Sequence, residues 1–311
     1  MKMKISFVIP CYRSENTVSA VIDEIIGKVS EKPEYDYEII AVNDSSPDNV
    51  YDVLVNRANE NTKIKVIDLA KNGGKHAALM AAFAYVKGDY VVCVDDDGQC
   101  PVDKLWDLIE PLENGYDMSV AKYPKKKQSF GKNFGSKINS LMTRIMLEKP
   151  KDFVFSNFVA RKKFVCDKII EYKNPYPYLE GLSLSITRNI AFIEMEERSR
   201  LSGTSGYNFK KSLSLWINGF TAFSVKPLRI STFLGMVFAT FGFLVGLIVV
   251  IKKLINPLIP MGYSSTMAAL LFIGGIIMLM LGMLGEYIGR IYISINNSPQ
   301  YVIRDTVNIE K

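Results

Sequence analysis

Charge is almost missing from one long stretch of this 311-residue chain: between residues 230 and 285 only Lys252 and Lys253 are charged. Two uncharged runs, 230–251 and 266–285, are each about as long as a ~30 Å hydrocarbon core requires of a helix, so the chain is not purely soluble. Cysteine is scarce too. Cys11, Cys93, Cys100 and Cys166 form no CxxC pair and no zinc spacing, which excludes a disulfide scaffold and points to reduced thiols in a cytosolic domain. There is one histidine, His76, and no GxGxxG, GxxxxGK[ST] or GxSxG segment, which speaks against dinucleotide, P-loop and serine-hydrolase readings. The first residues run from Met1-Lys2-Met3-Lys4 directly into a strand-like Ile5-Ser6-Phe7-Val8-Ile9, too short for the apolar core of a cleavable signal peptide.

What charge there is sorts along the chain. Residues 1–121 hold 12 basic and 21 acidic side chains, and residues 122–173 hold 14 and 4. An acidic first half excludes nucleic acid as the main partner, because a phosphate backbone needs a continuous basic face. The basic middle, lying just before the apolar runs, suits an anionic membrane surface or a lipid phosphate instead.

In the first hundred residues β-branched runs alternate with helical patterns. Strands are expected at 5–10, 37–42, 64–69 and 90–94, and helices at 16–29, 47–59 and 74–86. Strict alternation implies βαβ units on a parallel sheet, whose ligand lies beyond the carboxyl ends of the strands. The segments there are Pro10-Cys11-Tyr12, Asn43-Asp44-Ser45-Ser46, Lys71-Asn72-Gly73-Gly74 and Asp95-Asp96-Asp97-Gly98-Gln99. Three adjacent carboxylates repel one another, and a hard divalent cation relieves that repulsion. In an extended stretch Asp95, Asp97 and Gln99 share one side and offer two carboxylates and an amide oxygen to Mg²⁺ or Mn²⁺, while Asp96 faces the other way. The lone His76, in the first turn of its expected helix, reads as a polar contact rather than a metal ligand.

Those segments, in order and spacing, resemble the inverting family 2 glycosyltransferases of GT-A fold. The later segments Arg200-Leu201-Ser202-Gly203-Thr204-Ser205-Gly206-Tyr207, Phe223 to Arg229 and Leu284 to Tyr292 narrow the resemblance to the membrane-anchored polyprenyl-phosphate glycosyltransferases. That group contains dolichol-phosphate mannose synthase, the bactoprenol glucosyltransferases and the undecaprenyl-phosphate aminoarabinose transferase. The resemblance implies an α/β, Rossmann-like GT-A nucleotide-sugar domain that is a metal-dependent enzyme. Pro10, Tyr12, Glu15 and Lys71 would line the nucleotide-sugar pocket, Asp44 would bond the base, and Asp95 and Asp96 would complete the donor contacts. Asp95, Asp97 and Gln99 would hold Mg²⁺ or Mn²⁺. Asp97, Lys122, Lys132 and Arg200 would carry catalysis, the three cations together with Ser205 holding the acceptor phosphate. A homotetramer is the oligomer that membrane-anchored relatives imply.

Three departures from the family pattern stand out. Asn43 replaces the first of two aspartates, Gly206 stands where many members have lysine, and Ser156 and Asn157 occupy a region where some carry an aspartate proposed as a base. The last costs little: a phosphate monoester with a second pKa of about 6 is already ionised near neutral pH and can attack unaided.

The organisation expected is therefore a nucleotide-sugar and metal part at 1–127, an acceptor-side part at 128–229, a transmembrane helix at 230–251, an extracytoplasmic loop at 252–265, a second transmembrane helix at 266–289 and a cytoplasmic tail at 290–311. Basic amphipathic patterns at 130–147 and 208–220 suit helices lying at the membrane surface. Lys210, Lys211, Lys226, Arg229, Arg290 and Arg304 flank the spans against Lys252 and Lys253 in the loop, which places the catalytic domain on the cytoplasmic face of an inner membrane. The expected activity is transfer of one sugar from a nucleotide sugar, UDP-linked first, to polyprenyl (undecaprenyl) phosphate for cell-envelope glycan modification. A processive polysaccharide synthase and a non-catalytic membrane-anchored binding protein are the alternatives.

Overall fold

The computed structural model describes residues 2–123, 156–174, 177–196, 198–199, 226–255, 262–295 and 299–309. The chain divides into two compact units, Met1–Ser214 with Asn297–Lys311, and Leu215–Asn296.

The first unit is built on a parallel core of β1 (Met3–Cys11), β2 (Tyr35–Asn43), β3 (Ile64–Leu69) and β4 (Tyr90–Cys93). Ile5 to Ile9 of β1 has no exposed residue, as expected of a strand covered on both faces. The chain continues through β5 (Met118–Lys122), β6 (Val159–Lys162), β7 (Ile190–Glu194) and β8 (Ile303–Val307). Among the described residues the sheet runs β7-β5-β6-β4-β1-β2-β3-β8, with β6 and β8 antiparallel to their neighbours. The first four strands match the expected ones within two residues. The last was not expected: a segment read only as a tail returns to the sheet and pairs with edge strand β3, Val66 opposite Val307.

On one face lie α1 (Val18–Ser30), α2 (Val50–Glu60) and α4 (Leu105–Glu113), packed on Ile5, Phe7, Ile9, Ile39 and Val92. In α1 the buried residues Val18, Val21, Ile22, Ile25 and Val29 follow the helical period that buries one stripe. On the other face α3 (Lys75–Phe83) and α5 (Lys163–Ile169) cover the alternate side chains of the strands, and α6 (Leu179–Ile186) packs on α5. At the amino ends of the strands Glu38, 1% exposed, accepts hydrogen bonds from Ser6 Oγ, Lys65 Nζ and the Lys87 N–H, each at 2.6 Å, with Lys4 Nζ at 3.2 Å. Burial alone would raise the Glu38 carboxyl, but these partners hold it below the ordinary glutamate value.

The second unit holds α7 (Lys226–Ile255) and α8 (Tyr263–Ile295), 30 and 33 residues long. At 1.5 Å per residue both exceed a ~30 Å hydrocarbon core. Pro227 sits in the first turn of α7, where its missing N–H costs nothing. Phe241, Phe243, Phe272 and Met278 are among many large apolar side chains left exposed, an arrangement that water penalises and lipid does not. Within α8 the stretch Phe272–Gly289 is long and apolar enough to cross a membrane, while the apolar part of α7, Gly235–Ile248, is shorter. The two helices touch through an edge-to-face pair of Phe238 and Phe272, ring centroids 5.8 Å apart. The expected surface helices at 130–147 and 208–220 fall outside the described residues.

Candidate active site

The loops after β1, β2, β3 and β4 meet at one end of the sheet. Asp44, directly after β2, is 3% exposed. Its Oδ1 accepts the Gly73 N–H at 2.7 Å, its Oδ2 the Gly74 N–H at 2.8 Å, and its carbonyl oxygen accepts Asn72 Nδ2 at 3.0 Å. Burial pushes this carboxyl above the ordinary aspartate value, and the two N–H donors oppose the shift. Gly74 has φ +81°, a region that L side chains rarely adopt, and a Cβ at Gly73 would lie 2.8 Å from that of Ala77. The double glycine therefore lets the backbone wrap Asp44 immediately before α3.

Asn43 fills the place of the missing first aspartate by donating from Nδ2 to Asp68 Oδ1 at 2.7 Å and accepting the Ser46 N–H at 3.1 Å. The β1 and β2 loops are laced together: Arg13 N–H donates to Ser46 Oγ at 2.7 Å, and Glu15 N–H to Asp48 Oδ2 at 3.0 Å. Glu15 Oε2 in turn accepts the Asn49 N–H at 2.9 Å, at the start of α2. Arg13 and Ser45, with φ 58° and 49°, are two of the three non-glycine residues in the left-handed region among the described residues. Such backbone persists only where surrounding bonds over-determine it. Tyr12 projects from this loop 45% exposed, and Lys71 is also exposed.

After β4 the three carboxylates have three different surroundings. Asp95 pairs with the Lys75 ammonium, at the first residue of α3. Burial works against the charge of Lys75, but Asp95 outweighs it and holds the ammonium above the ordinary lysine value. Asp96 lies in a turn with Asp97 rather than in the extended stretch expected, and its Oδ2 accepts the Tyr12 N–H at 2.9 Å while its carbonyl accepts Thr17 Oγ1 at 2.6 Å. Burial, with Asp95 and Asp97 adding to it, raises the Asp96 carboxyl to about 6. Asp97 Oδ1 accepts the Gln99 N–H at 3.1 Å, and Gln99 Nε2 donates to the Arg198 carbonyl at 3.3 Å.

Among the described residues no three His, Cys, Asp or Glu side chains converge as a metal cluster. A Mg²⁺-type ion does not require one, since it binds through one or two carboxylates and completes its shell with substrate phosphates and water. The hard oxygen donors of Asp95, Asp97 and Gln99 fit such an ion.

Lys122, at the carboxyl end of β5, pairs with Glu194 at 3.0 Å. Lys132, Arg200 and Ser205 lie outside the described residues. Sequence reasoning missed Lys75 as the partner of Asp95, although it stands within the Lys71 to His76 segment; the need of three adjacent carboxylates for a protein cation was the available signal. It also missed Arg198, whose guanidinium pairs with Glu24 at 2.7 Å and with Asp103 while its backbone bonds Gln99.

With this geometry in place, the glycosyl transferase family 2 model matches residues 6–169 and the GtrB C-terminal hairpin model matches residues 226–291. The SfII prophage-derived bactoprenol glucosyl transferase of Shigella flexneri is 31% identical over 310 residues, 97% of this chain and 98% of that one. The undecaprenyl-phosphate 4-deoxy-4-formamido-L-arabinose transferase of Proteus mirabilis is 30% identical over 312 residues, 99% and 95% of the two chains. Among solved structures, glucosyl-3-phosphoglycerate synthase from Mycobacterium tuberculosis in complex with Mn²⁺, UDP-glucose and phosphoglyceric acid has a TM-score of 0.53 at 18% identity. The match covers 69% of this chain and 76% of that one, a likeness of fold.

Proposed function

The chain belongs to glycosyl transferase family 2, and on that premise we propose that it transfers one sugar, with inversion, from a nucleotide sugar, UDP-linked first, to polyprenyl phosphate at the cytoplasmic face of a membrane. The carrying observation is the convergence of the Asp44 cradle, the Lys75–Asp95 pair and Asp97 at the carboxyl ends of β2 and β4. The hairpin match and the names of full-length relatives support the lipid acceptor.

In this reading the Asp44 cradle, Tyr12, Glu15, Pro10 and Lys71 receive the nucleotide. Asp95 and Asp97, with Gln99, would hold Mg²⁺ or Mn²⁺, which when bound neutralises charge on the donor diphosphate. Asp96 keeps the carboxylate loop fastened to the β1 loop through Tyr12. An oxygen of the polyprenyl phosphate attacks the anomeric carbon and the nucleoside diphosphate leaves from the opposite side. That oxygen is already anionic, so Ser156 and Asn157 suffice where a base would otherwise be needed. Lys122, Lys132, Arg200 and Ser205 hold the acceptor phosphate in line, a positioning role that accounts for much of the rate in such transfers. The α7–α8 hairpin crosses an inner membrane twice and keeps the enzyme beside its acceptor, as a homotetramer.

The test incubates membranes containing the protein with undecaprenyl phosphate, Mg²⁺ or Mn²⁺ and labelled UDP- and GDP-sugars, and extracts the lipid. One sugar per lipid is expected, lost in Asp97→Asn. Label in a long polymer, or no labelled lipid with any donor, refutes the proposal.

A further inference from the structure

His76 and Glu180 take no part in the site as described so far. His76 is the second residue of α3, directly after Lys75, and Glu180 the second residue of α6. His76 Nε2 and Glu180 Oε2 stand 3.8 Å apart, beyond hydrogen-bond range. The imidazole meets the Tyr178 ring edge-on, centroids 5.6 Å apart. His76 Nδ1 and Glu180 Oε2 are both shielded from solvent and, among the described residues, have no hydrogen-bond partner. Native proteins rarely leave buried polar atoms so, because each unmade bond carries the full desolvation cost.

The pair adjoins the carboxylate loop: the Glu180 charge reaches the Lys75 ammonium, which holds Asp95. Burial lowers the His76 pKa; Glu180 opposes this, and Lys75 and Arg161 add to it. The ring is therefore neutral near pH 7, offering one donor and one acceptor. An anionic ligand would be repelled by Glu180. A hydroxyl group is not: with the ring proton on Nε2, its oxygen can stand about 2.8 Å from both Nε2 and Oε2, accepting from the imidazole and donating to the carboxylate, which gives the orphan Oε2 its partner.

We propose that His76 and Glu180 form the subsite that recognises a hydroxyl of the transferred sugar and so set donor specificity. This rests on the glycosyl-transfer reading and adds the residues that choose the sugar. The geometry assigns the pair a selective role, separate from nucleotide binding by Asp44 and from acceptor binding by the basic residues.

The test uses the full-length protein in detergent with Mn²⁺ and compares calorimetric affinities for UDP, GDP and a panel of UDP- and GDP-sugars differing at single hydroxyls, alongside lipid transfer. The wild type is expected to prefer one sugar configuration. Glu180→Gln and His76→Ala should weaken that donor about ten- to hundredfold, the worth of a hydrogen bond to a charged group, and level the panel. Affinity for the free nucleotide should stay within about twofold, and His76→Gln should recover part of the loss. Equal weakening of free nucleotide and sugar donors, an unchanged preference in both variants, or a wild type that discriminates among no donors overturns the proposal. Selective donor binding without lipid transfer would instead sink the acceptor reading and leave this one standing.

Discussion

Asp44→Asn is the substitution whose effect can be worked most directly from the site. The change preserves shape but turns one of two acceptor oxygens into an NH₂, so the N–H of either Gly73 or Gly74, now 2.7 and 2.8 Å from a carboxylate oxygen, faces a donor. A hydrogen bond to an ionised group contributes about 1.5–3 kcal/mol. Gly73 is exposed, so water can take its N–H, and the neutral amide escapes the burial penalty that pushes the Asp44 carboxyl up. Both facts bring the loss toward the lower end, about 2 kcal/mol. For a cooperative unit of about 200 residues that corresponds to a Tm roughly 4–8 °C lower. Affinity for the nucleotide should fall with it, about tenfold, because the Gly73–Gly74 backbone loses the anchor that shapes it. Differential scanning fluorimetry of the full chain, with and without UDP, reads both effects. A variant melting within about 1 °C of wild type that binds nucleotide equally well would refute the view that Asp44 organises the loop.

Three further substitutions test two site residues and one buried carboxylate at the far end of the sheet. Lys75→Met removes the protein cation beside Asp95, so added Mn²⁺ should raise the melting temperature more in the variant than in wild type, while transfer falls at least about a hundredfold; equal gains on adding Mn²⁺ would show that Lys75 does not share charge compensation with the ion. Glu38 has a folded-state pKa held below its unfolded value, so its stabilisation is full above about pH 4.3 and disappears as pH falls through the lower folded value. Glu38→Gln should accordingly flatten the acid limb of a urea midpoint against pH profile, and an unaltered limb would mean that other carboxylates govern acid unfolding. Lys122 pairs with Glu194, a residue 80% exposed at its side chain, so Lys122→Ala should leave Tm within about 1 °C yet raise the KM for polyprenyl phosphate about tenfold; a rise confined to the KM for the nucleotide sugar would move Lys122 out of the acceptor site.

The parallel half of the fold was legible because its strands are buried on both faces and read as short apolar runs between amphipathic helices, as β1 and α1 illustrate. β8 was not, since its pairing with β3 joins segments more than 230 residues apart, as Arg304 bonding the Ala70 carbonyl shows, and no local pattern encodes such a partner. At the site, alternation assumed an extended stretch over 95–99, whereas Asp96 and Asp97 lie in a turn. It could not reveal that Glu15, expected at the nucleotide, also spends one oxygen on the Asn49 N–H, because that bond depends on where the β2 loop folds. The pairing of Lys75 with Asp95 needed the same tertiary knowledge: α3 must begin directly after Gly74 for its first side chain to reach the end of β4.

The three consecutive aspartates are not equivalent, because their surroundings differ. Asp95 is compensated by Lys75, whereas Asp96 accepts the Tyr12 N–H and burial raises its carboxyl to about 6. Near neutral pH a carboxyl with a pKa of about 6 is still mostly ionised, so Asp96 and Asp97 carry the repulsion that remains. A donor diphosphate approaching this end of the sheet would meet a site of roughly two net negative charges, which a single divalent cation neutralises. Had all three stood bare, the diphosphate would need more than one cation to approach. The acidity of the first 121 residues therefore does not exclude an anionic substrate: at the strand ends Asp95 meets Lys75, Asp96 the Tyr12 N–H and Asp44 the glycine amides, and the ion proposed for Asp95, Asp97 and Gln99 would offset the charge that remains.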